Sequence, residues 1–544
     1  MKKITVILIL IITSLIISEL SAQVTQEWVA TFNGIGNGSN VPKKNAVDKF
    51  GNIIVAGRSD YFGGYADFIT LKYNPSGNLL WANRYNGIGN NNDRIEDMLL
   101  DDSGNVYVTG ESYEGPSGGT YNWVTIKYKP NGDTAWKRSF GWTGGGLDQP
   151  FSMTKDKLNN IYITGLARAY PPYNDDMLTV KYTSDGEFQW ARSYSSLQNG
   201  PDWGYSIAAD DSNNVYSSGY GEATLGNEIV TIKYNTNGDE MWIRKNTTLG
   251  GDYLRPVKSA TDKYNNIIVN GYYYLGGQYA FITIKYNSEG DTLWKRIYKG
   301  DGNLNFCFAI STDDSANVYV AGRNTSSVTG NDFLTIKYKP NGDTAWIRIY
   351  DGGYQQFDEI QSIKVDNHQN VYVTGRSDST DGTSSYLTLK YNSSGTIQWI
   401  KKYGNPTYAD VSFCISLDNY NNVYVSGYTQ VNLNTSAITT IKYSTITGVN
   451  ENIYEENEIY LLNNFPNPFN SETIINYQIP SNGNISINIY DSKGSLISEI
   501  IKQYQIKGIH QTSFNAYKYS SGVYFYTLVF NNKLVKTSRM FLIK

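Results

Sequence analysis

Histidine and cysteine are almost missing from this sequence, which has two of each in 544 residues. A zinc site built on histidine and a nucleophilic cysteine–histidine pair both need these side chains, so we expect neither and predict no cofactor. We expect Cys307 and Cys414 to be buried apolar residues, as free cysteines usually are. Charged residues make up only 18%, the net charge is −4 and no long basic run is present, so no nucleic-acid partner is expected.

Long apolar runs are also rare, and the main one lies at the N-terminus. Lys2 and Lys3 precede an apolar stretch at 4–17, and Ser21 and Ala22 form a small-residue cleavage site. An apolar stretch of about 14 residues is too short to span a bilayer, so the pattern is typical of a signal peptide at residues 1–22. Since no cysteine follows the cleavage site, a lipoprotein anchor is not expected. We predict export, a mature chain that starts near Gln23, and no transmembrane anchor.

Tyrosine and glycine are abundant instead, with 47 and 51 residues, and they follow a fixed period. A Lys-Tyr pair recurs at intervals of 52 to 55 residues, with its lysines at Lys72, Lys127, Lys181, Lys233, Lys285, Lys337, Lys390 and Lys442. A tryptophan follows the first seven lysines, at Trp81, Trp136, Trp190, Trp242, Trp294, Trp346 and Trp399. Such a period indicates an array of similar structural units.

Each repeat holds four runs rich in Val, Ile, Tyr and Thr, separated by Gly, Asn or Asp. Four antiparallel strands in a unit of about 52 residues are typical of a propeller blade. The eighth repeat has no tryptophan after Lys442, whereas Trp28 precedes the first repeat. We therefore predict an all-β fold in which residues 23–445 form an eight-bladed β-propeller. Its N-terminal strand around Trp28 is expected to complete the last blade beside residues 439–443.

The phrase from Asp101 to Gly110 and its counterparts resemble the bacterial β-propeller repeats known as SBBP repeats. The resemblance covers about residues 40–443 and implies a propeller without implying one activity. The segment from Ile126 to Trp136 also resembles the tryptophan-docking motif of quinoprotein dehydrogenases. Tyr128 replaces the early aspartate of that motif, and the adjacent cysteine pair of those enzymes is absent. We interpret this second likeness as shared packing rather than shared chemistry.

Two sets of aspartates recur in the repeats. The first set is expected to close tight turns by accepting backbone N–H groups, and it comprises Asp48, Asp101, Asp156, Asp210, Asp262, Asp313, Asp366 and Asp418. The second set stands where the first strand of a repeat begins, at Asp93, Asp148, Asp202, Asp358 and Asp410. A ring of these carboxylates at a channel mouth would suit Ca²⁺, which prefers clustered oxygen ligands. The alternative is that each one ties its own connecting loop to backbone amides.

Variable spacing concentrates between the second and third strands of the repeats, at 59–66, 111–122, 167–176, 220–227, 272–279, 323–331, 376–384 and 428–435. Loops held by a rigid scaffold often carry binding residues. This face is rich in aromatic rings suited to stacking on sugars, at Tyr61, Tyr113, Trp123, Trp142, Tyr170, Tyr173, Trp203 and 272–274. The alternative is that these rings pack their own loops. For hydrolysis, the repeated carboxylates single out no catalytic pair.

Acidic residues crowd the stretch 446–458, which we interpret as a solvated linker, and a different pattern fills 459–544. Alternating apolar positions there predict about seven short strands and a small β-sandwich. The motif residues are Phe465, Pro466, Asn467, Pro468, Phe469, Gly494, Gly508, Gly522, Tyr524 and Lys544. They resemble the type A C-terminal sorting domain of the type IX secretion system. The resemblance implies that the type IX machinery recognises this tail at the outer membrane.

These patterns together predict a secreted or cell-surface protein whose propeller binds a glycan or protein ligand without catalysis. One alternative is a secreted polysaccharide-degrading enzyme with its carboxylates on the variable-loop face. Another is a structural component of the cell surface or matrix. No residue is assigned a catalytic role.

Overall fold

A computed structural model describes residues 23–34, 37–61, 64–114, 120–142, 146–169, 174–196, 200–224, 226–247, 254–353, 356–446, 460–465, 467–479, 481–506, 508–531 and 533–544. Regular structure within these ranges is entirely β-strand, so the predicted all-β class is confirmed. The chain divides into two compact units, Met1–Ile446 and Thr447–Lys544. The predicted signal peptide and nearly all of the predicted linker lie outside the described residues.

The strands of the first unit follow the repeats. The first seventeen are β1 (Gln23–Phe32), β2 (Asn37–Val47), β3 (Ile53–Tyr61), β4 (Ala66–Tyr73), β5 (Leu79–Tyr85), β6 (Arg94–Leu100), β7 (Val106–Tyr113), β8 (Tyr121–Tyr128), β9 (Thr134–Phe140), β10 (Gln149–Lys155), β11 (Ile161–Ala169), β12 (Asn174–Tyr182), β13 (Phe188–Tyr194), β14 (Trp203–Ala209), β15 (Val215–Ala223), β16 (Gly226–Tyr234) and β17 (Glu240–Asn246). The others are β18 (Leu254–Thr261), β19 (Ile267–Leu275), β20 (Gln278–Tyr286), β21 (Thr292–Tyr298), β22 (Phe306–Thr312), β23 (Val318–Ser326), β24 (Gly330–Tyr338), β25 (Thr344–Tyr350), β26 (Asp358–Val365), β27 (Val371–Asp378), β28 (Ser384–Tyr391), β29 (Ile397–Tyr403), β30 (Asp410–Leu417), β31 (Val423–Asn432) and β32 (Thr435–Ile446).

The strands β2 to β29 form seven antiparallel sets of four in chain order, and β30, β31 and β32 form a further set of three, which is consistent with a propeller. The first strands of successive sheets contact one another, in the order β2, β6, β10, β14, β18, β22, β26 and β30, and β30 also contacts β2. Each of these first strands carries a register shift at the same place, for example between Pro150 and Ser152 in β10. The extra residue bends the strand and re-aims a side chain.

The strand β1 is the fourth strand of the sheet that contains β30, β31 and β32. It pairs antiparallel with β32 and places Trp28 opposite Lys442, so the predicted pairing of the N-terminal strand is confirmed. A single parallel bridge between Ser39 and Ser436 links this sheet to β2, which joins two sets of four strands into one eight-stranded sheet.

A tryptophan and a lysine fasten one sheet to the next. Trp294 Nε1 and Lys285 Nζ both donate to the Pro340 carbonyl of the following sheet, at 3.0 and 3.5 Å. Trp28 Nε1 and Lys442 Nζ donate in the same way to the Pro75 carbonyl of the first sheet, at 2.9 and 3.5 Å. The last set of strands is therefore attached to the first by the same contact that joins neighbouring sheets elsewhere.

The turn that receives this contact requires glycine. Gly342 has a φ of +86°, and a Cβ there would lie 2.6 Å from the Trp294 ring. Arg296 lies over the same ring at 5.8 Å, and its Nε donates to the Gly342 carbonyl at 2.7 Å. Equivalent bonds are made by Arg138, Arg192, Arg244 and Arg348. These arginines serve the packing between sheets.

The first aspartate set closes the turn between the first and second strands of each repeat. One oxygen of Asp313 accepts the N–H groups of Ser315 and Asn317, both at 2.9 Å. Its other oxygen accepts Asn317 Nδ2 at 2.7 Å and the Tyr319 hydroxyl at 2.8 Å. The predicted turn role is confirmed, because the two N–H bonds recur at Asp48, Asp101, Asp156, Asp210, Asp262, Asp366 and Asp418.

Apolar side chains of adjacent sheets fill the space between them. Ile268, Phe281 and Trp294 of one sheet share a core with Val320 and Leu334 of the next. Both cysteines are free and buried, as predicted, and Cys307 lies in this core.

The C-terminal unit contains two antiparallel sheets. Its strands are β33 (Tyr460–Phe465), β34 (Glu472–Ile479), β35 (Gly483–Tyr490), β36 (Leu496–Gln505), β37 (Gly508–Asn515), β38 (Gly522–Phe530) and β39 (Lys533–Leu542). One sheet has the order β33–β34–β37 and the other β36–β35–β38–β39. Ile475 and Phe514 of the first sheet share one core with Ile487, Leu528 and Met540 of the second.

Candidate functional site

The five aspartates considered for a calcium ring bind backbone amides in their own repeats. Asp148 accepts the N–H groups of Trp142 and Arg168, at 2.7 and 3.0 Å. Equivalent pairs of bonds are made by Asp93, Asp202 and Asp410, while Asp358 accepts the Gly352 N–H. Burial is the main cause that raises the pKa of Asp148, Asp202 and Asp358 to about 6. This geometry is that of the alternative interpretation, in which each carboxylate anchors its own connecting loop.

The aromatic residues selected from the sequence do not form one surface. Trp123 is buried in β8 with 1% exposure, and its Nε1 donates to the Leu166 carbonyl at 3.2 Å. The expectation of an exposed ring on the variable-loop face is wrong for Trp123, because its side chain points into the core from a strand. Trp142 is half-buried and lies 6.2 Å from Phe140. Tyr170, Tyr173 and the side chain of Tyr61 lie outside the described residues.

The predicted loops are also shorter than the sequence suggested. Strands β19 and β20 reach Leu275 and Gln278, so most of 272–279 is a hairpin closed by two glycines. Its tyrosines are therefore held on paired strands. Tyr113 similarly ends β7, where its ring lies 5.3 Å from that of Tyr121.

A continuous group of rings begins at the start of β10 and β14. Phe151 stacks on Tyr205, with ring centroids 5.3 Å apart, and Tyr205 stacks on Tyr220 at 6.1 Å. Trp203 contacts the rings of Tyr205 and Tyr220 at 6.0 and 5.4 Å. The Arg255 guanidinium lies 4.5 Å from the Tyr205 centroid. Four of these five side chains are half-buried, so they are partly accessible from the solvent.

The same group continues across the next three sheets. Arg255 Nη1 donates to the Tyr272 hydroxyl at 3.2 Å, and the Tyr272 ring lies 5.1 Å from that of Phe306. Tyr279 lies 4.7 Å from Phe306. Arg323 lies over Phe306 at 4.7 Å and over Phe357 at 4.8 Å, and Arg376 covers Phe357 at 4.9 Å. We call this set the aromatic–arginine belt: Phe151, Trp203, Tyr205, Tyr220, Arg255, Tyr272, Tyr279, Phe306, Arg323, Phe357 and Arg376.

The belt breaks the symmetry of the repeats. At the register shift of the first strand, β10 and β14 place Phe151 and Tyr205, whereas β2 and β6 place Lys43 and Glu96. Residues that serve only the scaffold should recur in every repeat, as the tryptophans and turn aspartates do. Aromatic side chains that occur in only some repeats instead indicate a surface with a function.

Two of the three belt arginines, Arg323 and Arg376, have acidic partners. Arg323 Nη1 lies 3.0 Å from Glu359 Oε2, and Arg376 makes two bonds to Asp378 at 2.6 and 2.5 Å. Paired guanidinium planes are held in fixed positions and still present a flat face beside the aromatic rings. The belt therefore offers stacking surfaces and fixed N–H groups, and the charges of Arg323 and Arg376 are balanced.

A group of charged residues lies on β2, β6 and β7, in sheets that contain no belt residue. Burial raises the pKa of Glu111 on β7 to about 7, and Arg94 at 3.7 Å opposes this shift. Lys43 and Glu96 form an ion pair at 2.6 Å on the neighbouring first strands. A carboxyl with a pKa near 7 can hold or release a proton at neutral pH, which is the property required of a general acid or base.

The sorting-motif residues of the C-terminal unit fasten strand ends and turns. The Phe469 side chain is buried, and its N–H donates to the Phe541 carbonyl at 2.9 Å. Asn467 Oδ1 accepts the Phe541 N–H at 2.8 Å. The Tyr524 hydroxyl donates to the Ser520 carbonyl at 2.7 Å. The positions of these motif residues are thus largely explained by local structure.

The remaining motif residues occupy edges of the same unit. Gly494 closes a turn after Asp491 with a φ of +82°, and the Lys544 N–H donates to Ser521 Oγ at 2.9 Å. Gly508 and Gly522 begin β37 and β38, Phe465 ends β33, and Pro468 follows Asn467. Pro466 lies outside the described residues.

Comparison with known proteins links the two units to different relatives. An uncharacterized WD repeat-containing protein of Acanthamoeba polyphaga mimivirus is 24% identical over 431 residues, covering 67% of this chain and 26% of the relative. The chain thus spans about a quarter of that relative's length. Among solved structures, an ulvan lyase has 14% identity and a TM-score of 0.42, covering 74% of this chain and 93% of its own. A protein of unknown function from Dyadobacter fermentans has 10% identity and a TM-score of 0.37, covering 78% and 99%.

The C-terminal unit matches the model of a protein family rather than an individual relative. Residues 463–544 match the family model of the secretion system C-terminal sorting domain, which includes every motif residue selected from the sequence. Among the described residues no helix is long and apolar enough to cross a membrane. The C-terminal region is thus a type IX secretion sorting domain, and the protein that carries it is secreted or displayed at the cell surface.

Proposed function

We propose that this is an exported eight-bladed propeller that binds a carbohydrate chain along the aromatic–arginine belt, followed by a β-sandwich sorting domain. The ring is supported by the order of the first strands, which returns from β30 to β2. It is further supported by Trp28 and Lys442, which fasten the last set of strands to Pro75 of the first. A signal peptide at residues 1–22 would start the export that the sorting domain completes.

The continuous belt is the observation that carries the binding proposal. Half-exposed aromatic rings offer apolar faces to the apolar faces of sugar rings, and arginine N–H groups beside them can bind hydroxyls. Rings at five adjacent sheets give a surface that suits several consecutive sugar units. Because Glu359 and Asp378 balance Arg323 and Arg376, the belt favours a neutral or weakly charged polysaccharide over a strongly anionic one.

Catalysis is not part of this proposal. Glu359 and Asp378 contact the belt arginines Arg323 and Arg376, and both are engaged in ion pairs. A glycosidase instead needs two carboxyl groups placed on either side of the scissile bond.

Affinity electrophoresis against a panel of neutral and anionic polysaccharides tests the proposal on the mature full-length chain. We expect retardation by at least one neutral or weakly charged polymer, with little change between 50 and 500 mM salt. Trp203→Ala and Tyr279→Ala should each weaken binding about tenfold, which is the size of one lost aromatic contact. Tyr420→Ala is the matched control, because Tyr420 is 78% exposed on a turn far along its strands from the belt.

Two results would overturn the proposal. The wild-type chain could fail to bind any polymer of the panel, or Tyr420→Ala could weaken binding as much as the belt variants. Melting temperatures of all variants must be measured alongside, so that a loss of binding is not a loss of folding. A binding that disappears at 500 mM salt would replace the neutral ligand by a polyanion.

A second candidate function rests on Glu111, whose pKa is raised to about 7. Such a carboxyl beside Arg94 has the protonation behaviour of a catalytic acid or base in a polysaccharide-degrading enzyme. Incubation of the chain with the same polysaccharides, followed by measurement of released chain ends, tests this alternative. Activity that Glu111→Gln abolishes would support it, and the absence of product with every polymer would remove it.

A further inference from the structure

Three aspartates converge between the sheet that ends with β25 and the sheet that begins with β26. Asp332 lies on β24, Asp351 follows β25, and Asp358 begins β26. One carboxylate oxygen of each residue lies within 4.8 Å of an oxygen of each of the others. Asp332 and Asp358 are buried, and Asp351 is exposed. The cluster is therefore open to solvent on one side only.

The two buried carboxylates are incompletely paired. Asp332 Oδ2 accepts the Thr329 hydroxyl at 2.6 Å, and Asp358 Oδ2 accepts the Gly352 N–H at 2.8 Å. The Oδ1 atoms of both residues are buried and accept no well-formed hydrogen bond in the described part of the chain, although the neighbouring Ser377 hydroxyl opposes the rise that burial causes in the pKa of Asp358. A buried carboxylate oxygen without a donor carries a large desolvation cost unless a proton or a cation neutralises it.

Two other repeats place a basic side chain against the residue that corresponds to Asp332. Arg84 pairs with Asp67 in the first sheet, and Lys245 lies 2.9 Å from Glu228 on β16. In the sheet that contains Asp332, the position equivalent to Lys245 is occupied by Ile349. Lys245 pairs with Val230 across its strands, and Ile349 pairs with Leu334 in the same way. Within the described residues, no lysine or arginine forms an ion pair with any of the three aspartates.

We propose that Asp332, Asp351 and Asp358 form a binding site for a divalent cation of the calcium class. Three carboxylates supply hard oxygen ligands and neutralise more than the charge of one such ion. The ion would supply the positive charge that Arg84 and Lys245 supply elsewhere. It would fasten Asp351 and Asp358 to Asp332 on β24, and so join the two neighbouring sheets that the Arg323–Glu359 ion pair also links.

The chain provides a matched control for this site. Asp176 and Asp202 occupy the positions of Asp332 and Asp358 at an earlier sheet boundary, but Ser195 stands in the place of Asp351. That boundary has two carboxylates instead of three and an alternative hydrogen-bonding group. It should therefore bind a divalent cation much more weakly.

Isothermal titration of the mature full-length chain with CaCl₂, after treatment with EDTA, tests the proposal. We expect one ion per chain, a melting temperature that rises when the ion is added, and at least a tenfold loss of affinity in Asp351→Asn. Asp351 is exposed, so this variant should fold as the wild type does. Asp332→Asn is a second variant, and Asp176→Asn should leave the affinity unchanged.

The proposal is overturned if the wild-type chain binds neither calcium nor a comparable divalent ion. It is also overturned if Asp351→Asn binds as tightly as the wild type, since the ion then lies elsewhere. A cluster neutralised by a proton gives a third, distinct outcome. In that case Asp351→Asn has a higher melting temperature than the wild type in EDTA, and calcium changes the melting temperature of neither chain. This result also refutes the cation site. None of these results depends on the polysaccharide.

Discussion

Replacing Trp28 by alanine perturbs the contact through which the N-terminal strand reaches the first sheet. Removal of a fully buried tryptophan costs about 3–5 kcal/mol. Trp28 is only half-buried, so its apolar contribution should be about half of that value. Its Nε1 bond to the Pro75 carbonyl at 2.9 Å adds about 1 kcal/mol. We therefore expect Trp28→Ala to destabilise the first unit by about 3 kcal/mol.

Scanning calorimetry of the mature full-length chain can follow this effect in the transition that belongs to the first unit. Thr31→Ala is the matched control, because Thr31 lies exposed on the same strand and should change stability by less than about 0.5 kcal/mol. Trp294→Ala, at an interior boundary where the ring is 6% exposed, should cost about 3–5 kcal/mol. A Trp28→Ala effect no larger than that of Thr31→Ala would refute the reasoning, because β1 would then contribute nothing to the attachment of the last sheet.

Three other predictions concern single sites. In urea unfolding, Gly342→Ala should destabilise the first unit by at least about 1 kcal/mol more than Gly382→Ala. Both glycines have a positive φ, but only a Cβ at position 342 would meet a tryptophan ring. Equal effects would contradict this account of the turn. The folded-state pKa of Glu111 is raised to about 7 from 4.5, so the folded chain binds the extra proton between these values and loses stability as pH rises through them. The melting temperature of Glu111→Gln minus that of the wild type should therefore increase as the pH rises from 5 to 8. A difference that stays constant over this range would argue against the raised pKa of Glu111. A chain that ends at residue 458 should keep the calorimetric transition of the first unit but stay inside the outer membrane, whereas its appearance in the medium would show that the tail is not the required export signal.

The architecture was largely predictable because its signals are local and repeated. The period of the Lys-Tyr pair and the displaced Trp28 predicted the pairing of β1 with β32. The aspartate four residues before each asparagine predicted a turn that Asp313 and its equivalents form. Each of these inferences needs only short-range geometry and one rule applied many times.

The belt was much harder to predict because it depends on contacts between residues distant in sequence. Phe151, Tyr205 and Phe306 come together only when their sheets are placed side by side, and the register shift decides where the first two point. A comparison of the residues at that shift across the eight repeats would have shown aromatic side chains in some and charges in others. The exposure of Trp123 was predicted wrongly, because its position at the start of a strand does not reveal that its ring is buried between neighbouring sheets.

The cation cluster was also invisible in the sequence. Asp358 was selected for its place in the repeat, but Asp332 and Asp351 belong to other periodic positions. Only the contact between two sheets brings the three carboxylates together. The missing basic residue at Ile349 is a signal that an alignment of the repeats with one another could reveal.

Hydrogen exchange of backbone amides, measured with and without a bound polysaccharide, tests most directly that the belt is the ligand-binding surface. We expect slower exchange in peptides that cover 203–206, 272–279 and 306–308. Peptides that cover 94–100 on the opposite side, and those of the C-terminal unit, should be unaffected. Protection confined to 94–111, or spread evenly over all repeats, would contradict the assignment of the belt.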